Sequence, residues 1–133
     1  MALLEVVERC LMTLTLPLPD PAHVSAVHQY TSLEVHTALV AAGFPDSLLV
    51  IMDAIGGAES SWLPNVIQQG QPYATTGWGT WQITPGDSVP SVGVDRQLLP
   101  IEVNARAAHA KWTTQGLDAW TTYRNGVFRR YIR

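Results

Sequence analysis

The stretch from Ser47 to Ser60 constrains what this chain can fold into more than any other part of it. Leu48, Leu49, Val50, Ile51, Met52, Ala54, Ile55 and Ala58 recur densely. At about 100° per residue they cover nearly the whole circumference of a helix. A helix that is apolar all round belongs in the middle of a fold, with other elements packed around it. Pro45-Asp46 opens the segment, and Gly56 and Gly57 weaken it slightly while allowing a neighbour to approach closely.

The flanking sequence supplies those neighbours. Leu3, Val6, Val7, Cys10, Leu11 and Leu14 fall on one side of a predicted helix over residues 2–14, which Pro17, Pro19 and Pro21 end in a strap. Thr31 and Glu34 have capping-box spacing, an apolar pattern runs on through Val40, and Gly43 stops it. Residues 62–100 change character. They are rich in Gly, Pro, Gln, Thr and Trp, and predict loops with a short hairpin or helical turn near Trp81–Ile83. A helix is expected again over 102–114, with Val103, Ala107, Ala110 and Lys111 neighbouring on it and Gly116 at its end. Two short helical turns, 117–123 and 127–132, complete the chain. At 133 residues there is room for one core. The expected organisation is an N-terminal helix and proline-rich strap over 1–30, then one domain over 31–133. The fold class is mainly α, at most α+β.

Composition removes several classes of function. With 47% apolar and 14% charged residues the chain has the profile of a folded domain rather than a disordered one. No apolar run approaches the roughly 20 residues of a membrane span. Glu5, Glu8 and Arg9 interrupt the apolar start where a secretion signal needs a basic beginning and an unbroken apolar stretch, so no signal peptide is expected. A single cysteine, Cys10, forms no internal disulfide or thiolate cluster, and His23 and His28 have no third ligand nearby. No metal site is expected. Residues 1–95 carry one basic and nine acidic side chains, whereas 96–133 carry seven basic and two acidic ones. The basic part reads as solvated helix faces or as a wall beside an anionic polymer. It lacks the dense basic run with interleaved aromatics that nucleic acid requires.

Glu59 is the residue whose setting points to chemistry. It stands at the C-terminal end of the buried helix, where desolvation and the negative end of the helix dipole both disfavour a carboxylate. Both raise its pKa, as a general acid working near neutral pH needs. Trp62, Trp78 and Trp81 are near in sequence, and flat aromatic surfaces suit the faces of sugar rings.

Beyond that glutamate the order of short motifs is informative. Glu59-Ser60 is followed by Pro64-Asn65, by Gly77-Trp78-Gly79-Thr80-Trp81-Gln82-Ile83-Thr84-Pro85, by Asn104-Ala105-Arg106-Ala107-Ala108, and by Thr122-Tyr123-Arg124-Asn125-Gly126. In order and spacing this resembles the lysozyme-like superfamily, especially its soluble lytic transglycosylase and phage tail lysozyme branch. The likeness covers about residues 35–132. Thr80 stands where the family has leucine, and Arg124 where asparagine is usual. The resemblance implies a central buried helix ending in the catalytic glutamate, a small irregular or hairpin lobe, and a cleft between lobes. Glu59 would be the catalytic acid and then the base. Gln82 and the backbone of Gly79 to Ile83 would floor the cleft, Trp78 would wall it, Ser60 would support the catalytic side, and Tyr123 would face Glu59. Asn104 and Arg106 would begin a packing helix.

Glycoside hydrolysis usually needs two carboxylates. Asp53, six residues before Glu59 on the same helix, points about 240° away from it. Asp87 reads as a turn-forming residue after Pro85-Gly86. The expected reaction is therefore transglycosylation of peptidoglycan at the MurNAc-GlcNAc β-1,4 bond, ending in 1,6-anhydro-MurNAc, rather than simple hydrolysis. It requires no cofactor. Expected partners are peptidoglycan glycan strands and, in a phage virion or at lysis, other tail or baseplate proteins. A second class of function is a non-catalytic structural or wall-binding component of a phage tail tip or baseplate.

Overall fold

A computed structural model describes residues 28–87 and 91–133. The predicted helix over 2–14 and the proline strap lie outside the described residues. Helical turns of all kinds occupy 61% of the described residues, which contain no β-strand or sheet, so the fold is mainly α. Its extended pairing is confined to isolated bridges joining Ile67 to Trp78 and Trp78 to Ile83.

Helix α1 (Ser32–Ala42) begins where the sequence places it. The Glu34 N–H donates to Thr31 Oγ1 at 3.1 Å and the Thr31 N–H donates to Glu34 Oε1 at 2.8 Å, which satisfies two otherwise orphaned donors of the first turn. A 3₁₀ turn, Asp46–Leu48, then leads into α2 (Leu49–Ser60). Met52, Ala54 and Ile55 of α2 are fully buried, as its composition requires. The envelope opens near its start, where Val50 is 47% exposed, and again at its end, where Ala58 and Glu59 are half-buried. Around it pack α1, α4 (Thr121–Arg124) and the final 3₁₀ turn, Val127–Tyr131.

Helix α3 (Ile101–Gln115) packs across α1 and against the 3₁₀ turns Asp95–Leu98 and Leu117–Ala119. Its deeply buried face differs from the expected one. Ile101, Asn104, Ala105, Ala107, Ala108 and Lys111 go inward, while Val103 and Ala110 only flank the core. The stripe is displaced because the Asn104 amide, a polar group, is drawn inward by three backbone partners described below. A single core results, with Trp81 and Trp120 its largest fully enclosed side chains beside Leu39, Met52, Ile55 and Ile83. Among the described residues no helix is long and apolar enough to cross a membrane.

Candidate active site

The chain reverses directly after Glu59. Ser61 and Trp62 both take left-handed backbone angles, φ 55° and 57°, a conformation that costs a non-glycine residue on the order of 1 kcal/mol or more. The reversal is held by the Trp62 indole N–H, which donates to the Asp53 carbonyl and to Asp53 Oδ1, both at 3.0 Å. Gly57 makes room for that indole, since a Cβ there would lie 2.4 Å from the ring. Outside it, Arg133 stacks on Trp62 with its guanidinium 3.8 Å from the ring centre and reaches Asp53 Oδ1 at 3.1 Å. Asp53 thus serves this lock and does not line the cleft that Glu59 lines, as the helical angle between the two predicts.

Glu59 is half-buried, and its carboxyl lines a cleft of about 310 Å³ together with Gln68, Gln82, Thr84, Lys111, Ala119, Trp120, Thr121 and Thr122. The Thr122 hydroxyl donates to Glu59 Oε2 at 2.7 Å. Burial pushes the Glu59 carboxyl above the ordinary carboxylate range, against the opposing pull of the Thr122 hydrogen bond and the Lys111 charge. Desolvation wins, and the sequence expectation of a raised pKa holds. Lys111 shares the cleft, and its positive charge opposes the rise without cancelling it.

One side of the cleft belongs to the irregular segment. Within it Trp78 and Ile83 exchange both backbone hydrogen bonds, at 2.9 and 3.0 Å, closing a tight loop over Gly79 to Gln82. Asn104 of α3 pins that loop. Its Oδ1 accepts from the Trp81 N–H at 2.8 Å, and its Nδ2 donates to the Trp78 and Leu98 carbonyls at 2.8 and 2.6 Å. Gly79 permits this twice over: its φ is +77°, and a Cβ would lie 2.3 Å from Asn104 Nδ2. The Trp81 indole in turn donates to the Met52 carbonyl on α2 at 2.8 Å, and Trp120 donates to the Trp81 carbonyl at 3.0 Å. The loop, α2 and the far wall are thereby fixed to one another through buried hydrogen bonds.

Of the residues expected to form the site, the structure brings Glu59 and Gln82 together and takes the others elsewhere. Gln82, at φ 51°, lines the cleft, but its amide donates to the Gly79 and Val66 carbonyls at 2.8 and 3.3 Å. Only its Oε1 acceptor remains for a substrate. Ile83 is fully buried and is core, not floor. Ser60 is 6% exposed and donates its hydroxyl to the Gly56 carbonyl, so it is engaged by its own helix and does not line the cleft. Trp78 packs against the core, and Trp120, which borders the cleft, is itself buried at 2% exposure and offers no open ring face in its place. Tyr123 stacks on Phe128 with ring centres 5.0 Å apart and lines no part of the cleft; Thr122, its neighbour, is the residue that reaches Glu59. On a helical turn adjacent residues point about 100° apart, so a motif centred on the tyrosine aims the threonine at the glutamate.

Sequence reasoning passed over Gln68, Thr84, Trp120, Thr121 and Thr122, and used Lys111 only as a helix-packing position. For Lys111 a signal existed: it is a charge on the otherwise apolar or amide face 101–104–108–111 of α3. Of the seven basic residues after position 95, Lys111 alone lines the cleft, Arg133 serves Asp53, and the rest are exposed. Asp87 caps its own turn, its Oδ2 accepting the Thr84 N–H at 2.7 Å, and pairs with Lys111 at 3.3 Å. Among the described residues no group of three or more His, Cys, Asp or Glu gathers as a metal set. No protein-family model, curated protein or solved structure matches the chain.

Proposed function

We propose that this chain cleaves the glycan strands of peptidoglycan, with Glu59 as the acid and then the base of a lytic transglycosylase. The observation that carries the proposal is a protonation-prone carboxyl, raised by burial and held by Thr122, inside a cleft lined by hydroxyls and amides. Such polar side chains suit a sugar chain, which offers hydroxyls at its edges. The family resemblance of the motif order supplies the substrate.

The chemistry uses one carboxyl. Glu59 gives its proton to the glycosidic oxygen, and the MurNAc C1–O bond breaks. The acetamido oxygen of the same sugar stabilises the cation at C1. Glu59, now a carboxylate, takes the proton of the sugar's 6-hydroxyl, whose oxygen closes on C1. The 1,6-anhydro end forms, and Glu59 is protonated again. Asp87, a candidate for a second carboxylate, is engaged by the Thr84 N–H and the Lys111 ammonium, which favours this route over one that needs a free base. No cofactor enters. Delivery to the wall within a phage virion or at lysis, with tail or baseplate proteins as partners, is the part of the proposal that rests on the resemblance.

Clearing of purified cell walls by wild type and by Glu59→Gln tests the assignment. Loss of a general acid reduces turnover by about 100-fold or more. Equal clearing by the two proteins overturns the role of Glu59. No clearing by either, with intact wall binding, supports the non-catalytic wall-binding component instead.

A further inference from the structure

A lysine enclosed in a cleft needs a counter-charge and a partner for its ammonium. Lys111 has both. Its side chain is 8% exposed, its Nζ lies 3.3 Å from Asp87 Oδ2, and it sits 4.9 Å from the centre of the Trp120 ring. Asp87, 10% exposed, is fixed by the Thr84 N–H, so the pair is a set part of the wall and solvent screens it little. Among the described residues Lys111 is the only basic side chain lining the cleft that holds Glu59. While Glu59 is protonated the three groups sum to zero charge. Once it has lost its proton, a negative charge stands in a confined space facing this one cation.

We infer that Lys111 is a positioning residue acting through Glu59: anchored by Asp87, it stabilises the carboxylate that Glu59 becomes midway through the reaction, and Asp87 limits that stabilisation. The inference rests on the reading of Glu59 as the acid. The other charged groups near the site are directed elsewhere. Arg124 beside Thr122 binds the Asp118 carbonyl and Thr121 Oγ1, and Asp53 on the same helix as Glu59 is held by Arg133. Arg129 and Arg130, on the last turn against α2, are exposed.

Two readouts test this on the full chain. The first is a carbon-13 NMR titration of the Glu59 carboxyl, without substrate, in wild type, Lys111→Met, Asp87→Asn and the double variant. The second is the alkaline limb of the pH profile of wall clearing in the same four proteins. Removing the cation must move the Glu59 midpoint and the limb to higher pH. Removing Asp87 must move both to lower pH, and the double variant must fall between the single ones. Opposite displacements from the two halves of one ion pair are not expected of a pair that merely holds the fold. Should Lys111→Met fail to fold, Asp87→Asn and the double variant decide, because the second change must reverse the displacement caused by the first. Shifts in one common direction, or none in folded protein, overturn the inference while leaving wall clearing intact. The NMR order with no clearing even by wild type overturns the enzyme reading, and Lys111 loses its catalytic meaning with it.

Discussion

The Thr122 hydroxyl donates to the Glu59 carboxyl across 2.7 Å, joining two residues 63 positions apart in the chain. That bond ties the end of the buried helix to the far wall of the cleft. It also fixes the direction in which the carboxyl faces. Because a hydrogen bond to the ionised form favours ionisation, Thr122 draws the Glu59 pKa down while burial drives it up. Thr122→Val should therefore move the alkaline limb of activity to higher pH, and Thr122→Ser, which keeps the donor, should leave it in place. Identical profiles for valine and wild type would mean that the bond has no bearing on the acid.

Burial of Glu59 also predicts a stability effect whose sign follows from linkage. Its folded-state pKa lies above the unfolded one, so the folded protein holds this proton more tightly. The stability this contributes is complete below the ordinary carboxylate range and is lost as pH rises through the raised value. The Glu59→Gln side chain carries no titrating proton and suffers no such loss, and its amide oxygen can still accept a bond from Thr122. Urea unfolding should find Glu59→Gln more stable than wild type at neutral pH, the difference shrinking towards acid. A variant less stable at neutral pH, or a difference indifferent to pH, would contradict the burial argument.

Asn104 should matter to folding and activity together. Its amide satisfies one buried N–H and two carbonyls; Asn104→Ala takes that partner from the Trp81 N–H and the Leu98 carbonyl, while the Trp78 carbonyl keeps the Ile83 N–H. At about 1–2 kcal/mol for each of the two groups, the loss should be about 2–4 kcal/mol by denaturant unfolding. Wall clearing should fall below what the folded fraction alone explains, because the loop carrying Gln82 loses its anchor.

Tyr123 separates what the structure implies from what the motif implies. It rests on Phe128, away from the cleft lining, so Tyr123→Phe should keep activity close to wild type and Tyr123→Ala should chiefly lower stability. A phenylalanine variant as impaired as Glu59→Gln would place the phenol in the chemistry.

These contrasts show how far the residues alone could be read. The helix bounds at Thr31, Gly43 and Gly116 were legible because caps and glycines are local signals, and the central position of α2 because its apolar residues surround it. Glu59 was legible for the same reason: its environment is set by the helix that carries it. The opposite wall was not. Which of Thr122 and Tyr123 faces the cleft depends on the rotation of a four-residue helix, α4, set by packing of Trp120 and Phe128 rather than by any local pattern. Trp78, Ile83 and Ser60 were assigned to substrate by their place in motifs, yet each is a packing or helix-end group. Aromatic and apolar residues in a short motif serve either purpose, and only tertiary contacts distinguish the two. Lys111 needed the partner Asp87, 24 residues earlier, before its burial made sense.

In the proposed reaction one carboxyl, Glu59, acts first as acid and then as base on a glycan strand without a water nucleophile. Mass spectrometry of the sugar ends released from purified peptidoglycan tests it most directly. Wild type should give 1,6-anhydro-MurNAc ends, and Glu59→Gln should give about 100-fold fewer or none. Reducing MurNAc ends from wild type, or anhydro ends in equal yield from the glutamine variant, would contradict it.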